Sequence, residues 1–414
     1  MSMSEQIPKS QTVKKTLKIT TVSNIHIGCG DFYTHLDYYI EGSKAKILDM
    51  ERILESLDDI KRIDEMANII KSNMENNRTA NVKKIYKGIN IHPEDFILKE
   101  VDCKIKKDKR VQVEKFINQN GRYYVPGSSI KGAIRTAYIF DYYDKNIGKL
   151  VDILEGDNKN KNAQYNKKGK AVAKKAMGKI KDDFFKCNEI GKTVVKKAIG
   201  GIENDFFKYL LITDSNFIDP NNFEFIETKR YNIEYKRRYE LKARGNKKYE
   251  EPYGNKECKE TLKRDSQFTL ELTIKKGFQK DFNGIKNMCN NFTRALIEFE
   301  MNNEYLPRYL KEFYKDNILN KPNNNDGFYL PIGSGSGFLS KTIYLLLYKH
   351  NKDLDLIREC LPRRKSQNVN DYLDFPRTRV IDIKWEMPLS RIKIKGIKKR
   401  GMPLGWIKIE EEIK

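Results

Sequence analysis

The stretch from Tyr123 to Arg135 (YYVPGSSIKGAIR) constrains the fold more than any other part of the chain. Its apolar start is typical of the end of a strand, and Pro126-Gly127 is typical of a tight turn. Ser128 and Ser129 follow, and their hydroxyls are suited to cap the first N–H groups of a helix. The sequence therefore predicts a strand, a turn and a helix in direct succession, with the helix ending near Tyr143.

The start of this helix is a candidate anion-binding site. A helix N-terminus leaves backbone N–H groups unpaired, and these groups attract phosphate. Lys131 and Arg135 lie four residues apart, so they share one face of the helix. Together with Gly127, Ser128 and Ser129 they predict a phosphate site. The alternative is an ordinary capped helix that carries two solvated cations.

The charge of the chain indicates an anionic partner. Its 414 residues contain 80 Lys and Arg against 57 Asp and Glu, which gives a formal net charge of +23. Such a charge is typical of proteins that bind nucleic acid, although an acidic protein or a membrane surface is an alternative and genomic bias can contribute. The 6 cysteines form no C-x-x-C pair, and no apolar run approaches 18 residues. We therefore expect a cytoplasmic protein without a disulfide framework or a membrane span.

Strand-like and helix-like segments alternate irregularly, which favours an α+β fold with antiparallel sheets over a doubly wound parallel sheet. We expect an N-terminal domain in residues 1–155 and a C-terminal domain in residues 205–414. Residues 156–204 are rich in Lys, Asn, Gly and Ala, which predicts a basic, flexible insertion. An imperfect duplication starts within this insertion, in which KKAMG precedes DFFK and, 22 residues later, KKAIG precedes DFFK again.

A second glycine-rich stretch, PIGSGSGFLSKT, runs from Pro331 to Thr342. Gly333, Gly335 and Gly337 can adopt positive φ and let a ligand approach the backbone closely. We expect a helix from Phe338 to Tyr348 whose N-terminus, with Lys341, faces that ligand. The stretch departs from the Walker A pattern, because a serine stands before the lysine, so the sequence argues against ATP hydrolysis. RNA-backbone contact and a structural turn both remain open.

Three further side chains are candidates for RNA contact. His26 lies at the end of a predicted strand and is also a possible general base for RNA cleavage. His26, Cys29 and His35 do not have the ligand spacing of a zinc site, so we expect no metal. Arg377 and Arg379 flank one extended residue and therefore point the same way. They suit either phosphate contact or ion pairing between domains.

The motifs, taken in order, resemble the RAMP proteins of type III CRISPR effector complexes. More narrowly, they are similar to the family that forms the fifth subunit of the Csm complex of type III-A. The similar segments are IHIGCG (25–30), VPGSSIKG (125–132) with Arg135, GSGSGFLSKT (333–342), PRTR (376–379) and PLGW (403–406). VPGSSIKG alone is shared by many RAMP proteins, whereas its combination with GSGFLSKT and PLGW is more specific.

The resemblance implies two ferredoxin-like (RRM-like) domains without a cofactor. It also implies a subunit that caps the 3′ region of the CRISPR RNA, contacts the backbone RAMP subunit and other Csm subunits, and supports guide maturation with host nucleases. We therefore expect an RNA-binding subunit and not an enzyme. The alternative is a metal-independent CRISPR repeat-RNA endoribonuclease that uses His26.

Overall fold

Two large β-sheets organise the protein, and each takes strands from distant parts of the sequence. The computed structural model describes residues 12–57, 59–75, 82–105, 112–155, 184–201, 203–233, 253–320, 327–342, 344–351, 378–386 and 398–412. In chain order the strands are β1 (Val13–Thr21), β2 (Gly28–Tyr33), β3 (Tyr38–Glu41), β4 (Lys44–Leu48), β5 (Ile97–Cys103), β6 (Val113–Phe116), β7 (Asn118–Gln119), β8 (Arg122–Tyr123), β9 (Leu210–Ile212), β10 (Phe223–Asn232), β11 (Tyr253–Leu262), β12 (Gln267–Ile274), β13 (Gly327–Pro331), β14 (Thr378–Glu386), β15 (Lys398–Pro403) and β16 (Trp406–Glu411).

The helices lie between these strands and contribute most of the remaining core. They are α1 (Met50–Glu55), α2 (Ile60–Glu75), α3 (Val82–Gly88), α4 (Gly127–Asp144), α5 (Ile147–Glu155), α6 (Phe184–Ile199), α7 (Phe282–Asn302), α8 (Arg308–Tyr314) and α9 (Tyr344–Asn351). Short 3-10 helices cover Pro93–Phe96, Phe206–Tyr209, Pro220–Asn222 and Leu339–Lys341.

The first sheet has five strands in the order β13-β16-β1-β12-β9, and every neighbouring pair is antiparallel. Its central strand β1 alternates, so that Leu17 and Ile19 are fully buried on one face. Leu17 lies opposite Leu270, and Ile19 lies opposite Ile409. This sheet therefore joins the beginning of the chain to its end.

The second sheet has nine strands, in the order β2-β6-β11-β10-β5-β4-β3, with β14 attached to β10 and β15 attached to β14. Most pairs are antiparallel, but β5–β10 and β6–β11 are parallel. The protein is thus α+β, as expected, but the expectation of purely antiparallel sheets is wrong for this second sheet.

Both sheets mix strands from the two predicted domains. β1 belongs to residues 1–155, yet its two partners, β12 and β16, belong to residues 205–414. The sheets therefore do not divide near residue 205, because hydrogen bonding between strands depends on proximity in space and not in sequence.

Helices α4 and α7 cover the apolar face of the first sheet. Phe140 of α4 and Phe292 of α7 meet edge to face, with ring centroids 5.4 Å apart. The apolar stripe predicted for this segment (Met288, Phe292, Leu296 and Phe299) is buried, which confirms its helical spacing.

The expected insertion is partly regular structure. Residues 156–183 lie outside the described residues, but Phe184–Ile199 forms α6. Val194, Ala198 and Ile199 are buried, and the Tyr143 hydroxyl donates to the carbonyl of Val194 at 2.8 Å. The C-terminal part of the predicted insertion is therefore a helix whose apolar side packs against α4.

Candidate nucleic-acid interface

Helix α4 begins at Gly127, before the two serines that the sequence predicts as its caps. Pro126 occupies the N-cap position and provides no side-chain hydrogen bond, so the prediction that Ser128 and Ser129 cap the helix is wrong. The Asp214 carboxylate instead accepts from the Gly127 N–H at 2.8 Å. One of the donors expected to meet a phosphate is therefore already paired within the chain.

The glycine at this helix start is required by a close approach of two backbones. A Cβ on Gly127 would collide with the carbonyl oxygens of Ile212 and Thr213 at the end of β9. Ser128 and Gly132 remain exposed on the outer side of the helix. The turn thus holds α4 against β9, and the outer face of α4 remains exposed to solvent.

The two cations on α4 have different surroundings. Arg135 Nη2 lies 2.8 Å from Asp205 Oδ2, and its guanidinium carbon lies 5.8 Å from the Phe207 ring centroid. Lys131 is half-buried, and burial lowers the pKa of its ammonium although the charge of Asp205 opposes that shift. Arg135 therefore braces the helix, and Lys131 is the better candidate of the two for contact with a ligand.

The glycine-rich loop packs against the segment between β1 and β2, which contains His26. Gly333, Gly335 and Gly337 have φ of 71°, 84° and 95°, which confirms the predicted left-handed conformations. The Ser334 N–H donates to the His26 carbonyl at 2.7 Å, and a Cβ on Gly333 would collide with the same oxygen. Motifs that lie about 300 residues apart in the sequence are thus in direct backbone contact.

The continuous helix predicted from Phe338 to Tyr348 is wrong. A 3-10 turn covers Leu339–Lys341, and α9 begins only at Tyr344. The helix is broken at Thr342, whose backbone is extended with φ of −138° and ψ of 165°. The loop therefore has no long helix whose N-terminus could face a ligand.

The cations near this loop are used inside the protein. Lys341 Nζ donates to the Gly333 carbonyl at 2.8 Å, and desolvation lowers the pKa of its ammonium. Arg379 is buried, and its Nε lies 2.8 Å from Glu300 Oε1, which fits ion pairing better than phosphate contact. Arg377, predicted as its companion, lies outside the described residues.

His26 occupies a buried structural position. Its side chain is 0% exposed, and its Nδ1 lies 2.7 Å from the carbonyl oxygen of Glu260, so Nδ1 carries a proton. Its Nε2 lies 3.4 Å from Glu114 Oε2. The His26 ring and the Lys259 ammonium lower the pKa of Glu114 to about 2. In this conformation the imidazole does not reach RNA, either as a contact or as a base.

A buried polar cluster beside His26 was not anticipated from the sequence. The Glu260 side chain is 0% exposed and accepts from the Phe116 N–H at 2.9 Å and from the Tyr123 hydroxyl. Lys99 lies 4.1 Å from the Tyr123 ring centroid, and desolvation lowers the pKa of its ammonium. Polar residues in a strand usually indicate a wet face, so no sequence signal distinguished this cluster from surface.

Known proteins place this arrangement in a family. The profile of the RAMP superfamily matches residues 18–340 of the chain. The chain belongs to the RAMP superfamily. A RAMP relative from Methanocaldococcus jannaschii, "CRISPR system Cms protein Csm5", is 35% identical over 95% of this chain and 88% of its own length. The chain therefore belongs to the Csm5 family within that superfamily.

Two solved structures show the same fold. A chain in the cryo-EM structure of a Csm–crRNA–target RNA ternary complex of a type III-A CRISPR–Cas system has a TM-score of 0.66 and 18% identity, covering 96% of this chain and 100% of that chain. The crystal structure of Csm5 from T. onnurineus has a TM-score of 0.57 and 18% identity, covering 94% and 99%. At this identity the likeness concerns the fold alone. None of the described helices is long and apolar enough to cross a membrane.

Proposed function

We propose that the chain is an RNA-binding subunit of a type III-A CRISPR effector complex and that it caps the 3′ region of the CRISPR RNA. The observation that carries the proposal is the relative named Csm5, which is 35% identical over 95% of the chain. The net charge of +23 supports an RNA partner. The partners we assign are the CRISPR RNA, the backbone RAMP subunit and other Csm subunits, with host nucleases assisting guide maturation in the cytoplasm.

The finer fold that fits this role is a pair of ferredoxin-like domains. Around the first sheet, six elements occur along the chain in the order strand, helix, strand, strand, helix, strand, with other elements inserted between them. They are β1, α4, β9, β12, α7 and β16. Their strands lie side by side as β16-β1-β12-β9, with β13 added outside β16. This order supports one ferredoxin-like domain that spans the chain, and we assign the second sheet to the other domain.

We assign RNA contact first to the exposed outer face of α4. Ser128 is exposed and Lys131 is half-buried there, whereas Gly127 and His26 are buried and Arg379 is held by Glu300. At the glycine-rich loop we assign a contact with the same RNA to the exposed Gly337, whereas Lys341 is bonded to the Gly333 carbonyl. The proposal gives the chain a binding role and no catalytic one, which the burial of His26 supports.

The proposal is tested on complexes assembled with and without this subunit. We expect nuclease probing of the bound CRISPR RNA to show protection of the 3′ region only when the subunit is present, while protection of the 5′ region is equal in both complexes. Equal 3′ protection without the subunit would contradict the capping role. Specific cleavage of repeat RNA in EDTA that is lost in His26→Ala would instead establish the endoribonuclease alternative.

A further inference from the structure

The second copy of the duplicated KKA(I/M)G…DFFK motif forms a docking segment beside α4. Gly200 has a φ of 96°, and its N–H donates to the Lys196 carbonyl at 2.9 Å, which ends α6. Asp205 accepts from the Phe207 N–H at 2.9 Å and also pairs with Arg135. The segment between α6 and β9 is therefore fastened to α4 at a defined position.

An aromatic cluster completes this attachment. Phe206 and Phe207 are buried, and their ring centroids lie 5.0 Å and 5.5 Å from that of Tyr138 on α4. Phe278, which follows β12, contacts both rings at 5.7 Å and 5.3 Å. The aromatic half of the motif is thus explained by packing, but its lysines take no part in this packing.

These lysines and two others form one exposed surface. Tyr209 joins two of its parts, because its carbonyl accepts from the Lys275 N–H at 2.8 Å and Lys208 Nζ lies 5.3 Å from its ring centroid. Lys196 lies nearby in the chain, with its side chain beside Gly201. All members are exposed residues carried by ordered backbone at the end of α6, the 3-10 helix and the end of β12. We call this the lysine surface, and its members are Lys196, Lys197, Lys208, Lys275 and Lys276.

The charges of the lysine surface are not neutralised locally. Within the residues that the structure describes, none of its lysines forms an ion pair with a carboxylate. Asp205, the acid at the centre of the segment, is already paired with Arg135. Lys208 Nζ donates at 2.6 Å to the carbonyl of Glu203 and not to its carboxylate. Like charges on one surface repel one another, so a surface of lysines without paired carboxylates favours binding of a polyanion.

We propose that the lysine surface binds the sugar–phosphate backbone of single-stranded RNA and extends the α4 face along the β9 edge of the first sheet. The inference rests on the proposed function and specifies where the RNA lies. A backbone partner fits because the ring of Tyr209 is only half-exposed and has a lysine above it, so bases have little ring surface for stacking. Near the glycine-rich loop, by contrast, Lys341 and Arg379 are engaged internally.

The test compares two charge-matched variants of the full chain. One replaces the lysine surface by glutamine (K196Q, K197Q, K208Q, K275Q and K276Q). The control replaces five lysines on other elements, namely α2, α3, α8 and the π-helical turn Lys315–Leu319 that follows α8 (K61Q, K71Q, K87Q, K311Q and K315Q). Binding of unstructured single-stranded RNA is measured by fluorescence anisotropy over a series of salt concentrations, and circular dichroism checks that both variants fold.

We expect the lysine-surface variant to bind RNA at least about tenfold more weakly than the wild type. The slope of log K against log salt concentration should become shallower by about 0.7 for each phosphate that the protein no longer neutralises. The control should keep a steeper slope than this variant. If wild-type protein binds RNA and both variants show the same slope, the lysine surface is not the RNA site, although the proposed function stands. If wild-type protein fails to bind RNA both alone and in the assembled complex, the proposed function falls as well. Unchanged RNA binding with loss of complex assembly would show an acidic protein partner and overturn the inference.

Discussion

The start of α4 and the glycine-rich loop look alike in sequence, but they have different roles in the structure. Each has a glycine, a hydroxyl and a lysine that suggest a phosphate site. At α4 the glycine lets two backbones meet, and the outer helix face remains open. At the loop, three glycines are left-handed, Gly333 packs on His26 and Gly335 packs on Leu404, and Lys341 Nζ donates back to the Gly333 carbonyl. The comparison teaches that this sequence pattern indicates a place where something approaches the backbone closely. It does not indicate whether a phosphate or another part of the chain makes that approach.

The largest effect that we predict concerns the loop. Gly333→Ala combines a positive φ with a collision against the His26 carbonyl, so it should destabilise the protein by more than about 3 kcal/mol. Gly337→Ala is the matched control, because it also has a positive φ but its added Cβ meets nothing within 4 Å. The control should lose only about 1 to 2 kcal/mol in urea unfolding. Equal losses would mean that the loop does not pack on His26.

The acid stability of the same region follows from Glu114. Its pKa is about 2 in the folded protein, below the usual value of 4.5. The stabilisation that the ionised carboxylate gives to the folded state is therefore complete above about pH 4.5 and is lost as the pH falls toward 2. This contribution is on the order of 2 kcal/mol. In Glu114→Gln, the stability gap to wild type should therefore narrow as the pH falls from 5 to 2.

The measurement for Glu114 is the free energy of urea unfolding at a series of pH values. Glu65→Gln on the exposed side of α2 serves as the control and should show a small gap at every pH. A constant gap for Glu114→Gln would contradict its coupling to His26 and Lys259.

At the start of α4 we expect a smaller effect. Gly127→Ala should cost about 1 to 3 kcal/mol because its Cβ meets the carbonyls of Ile212 and Thr213, although φ is not strained. Gly132→Ala, five residues further along α4 and on its exposed side, meets nothing within 4 Å and should stabilise the helix by about 0.5 to 1 kcal/mol. A lower melting temperature for Gly127→Ala and a higher one for Gly132→Ala would support the different roles of the two glycines. A change in the same direction for both variants would contradict them.

The smallest effect concerns the cap of α4. Asp214→Ala removes the acceptor for the Gly127 N–H and should destabilise the protein by about 1 kcal/mol. Asp214→Asn keeps a side-chain oxygen and should lose less in the same unfolding measurement. If the alanine variant is as stable as the asparagine variant, the N–H has another acceptor and the helix start is freer to bind an anion than we infer.

Local patterns predicted several elements correctly because their causes are local. The helix after Pro126-Gly127 and the apolar stripe of α7 follow from turn chemistry and 3.6-residue spacing. The positive φ of the loop glycines follows from their lack of Cβ. The order of the motifs was enough to identify the family. The cap of α4 could not be predicted in this way, because Asp214 lies 87 residues from Gly127.

The sequence alone determined the basic charge, the α+β class, the helix after Pro126-Gly127 and the membership of the RAMP superfamily. Only the tertiary structure decided that β1 pairs with strands from the end of the chain, that His26 is buried and that Arg135 is held by Asp205. These outcomes depend on which distant segments meet, since burial and ion pairing are set by neighbours in space. For the same reason, only the fold shows which lysines are exposed to solvent and which cations form hydrogen bonds or ion pairs within the protein.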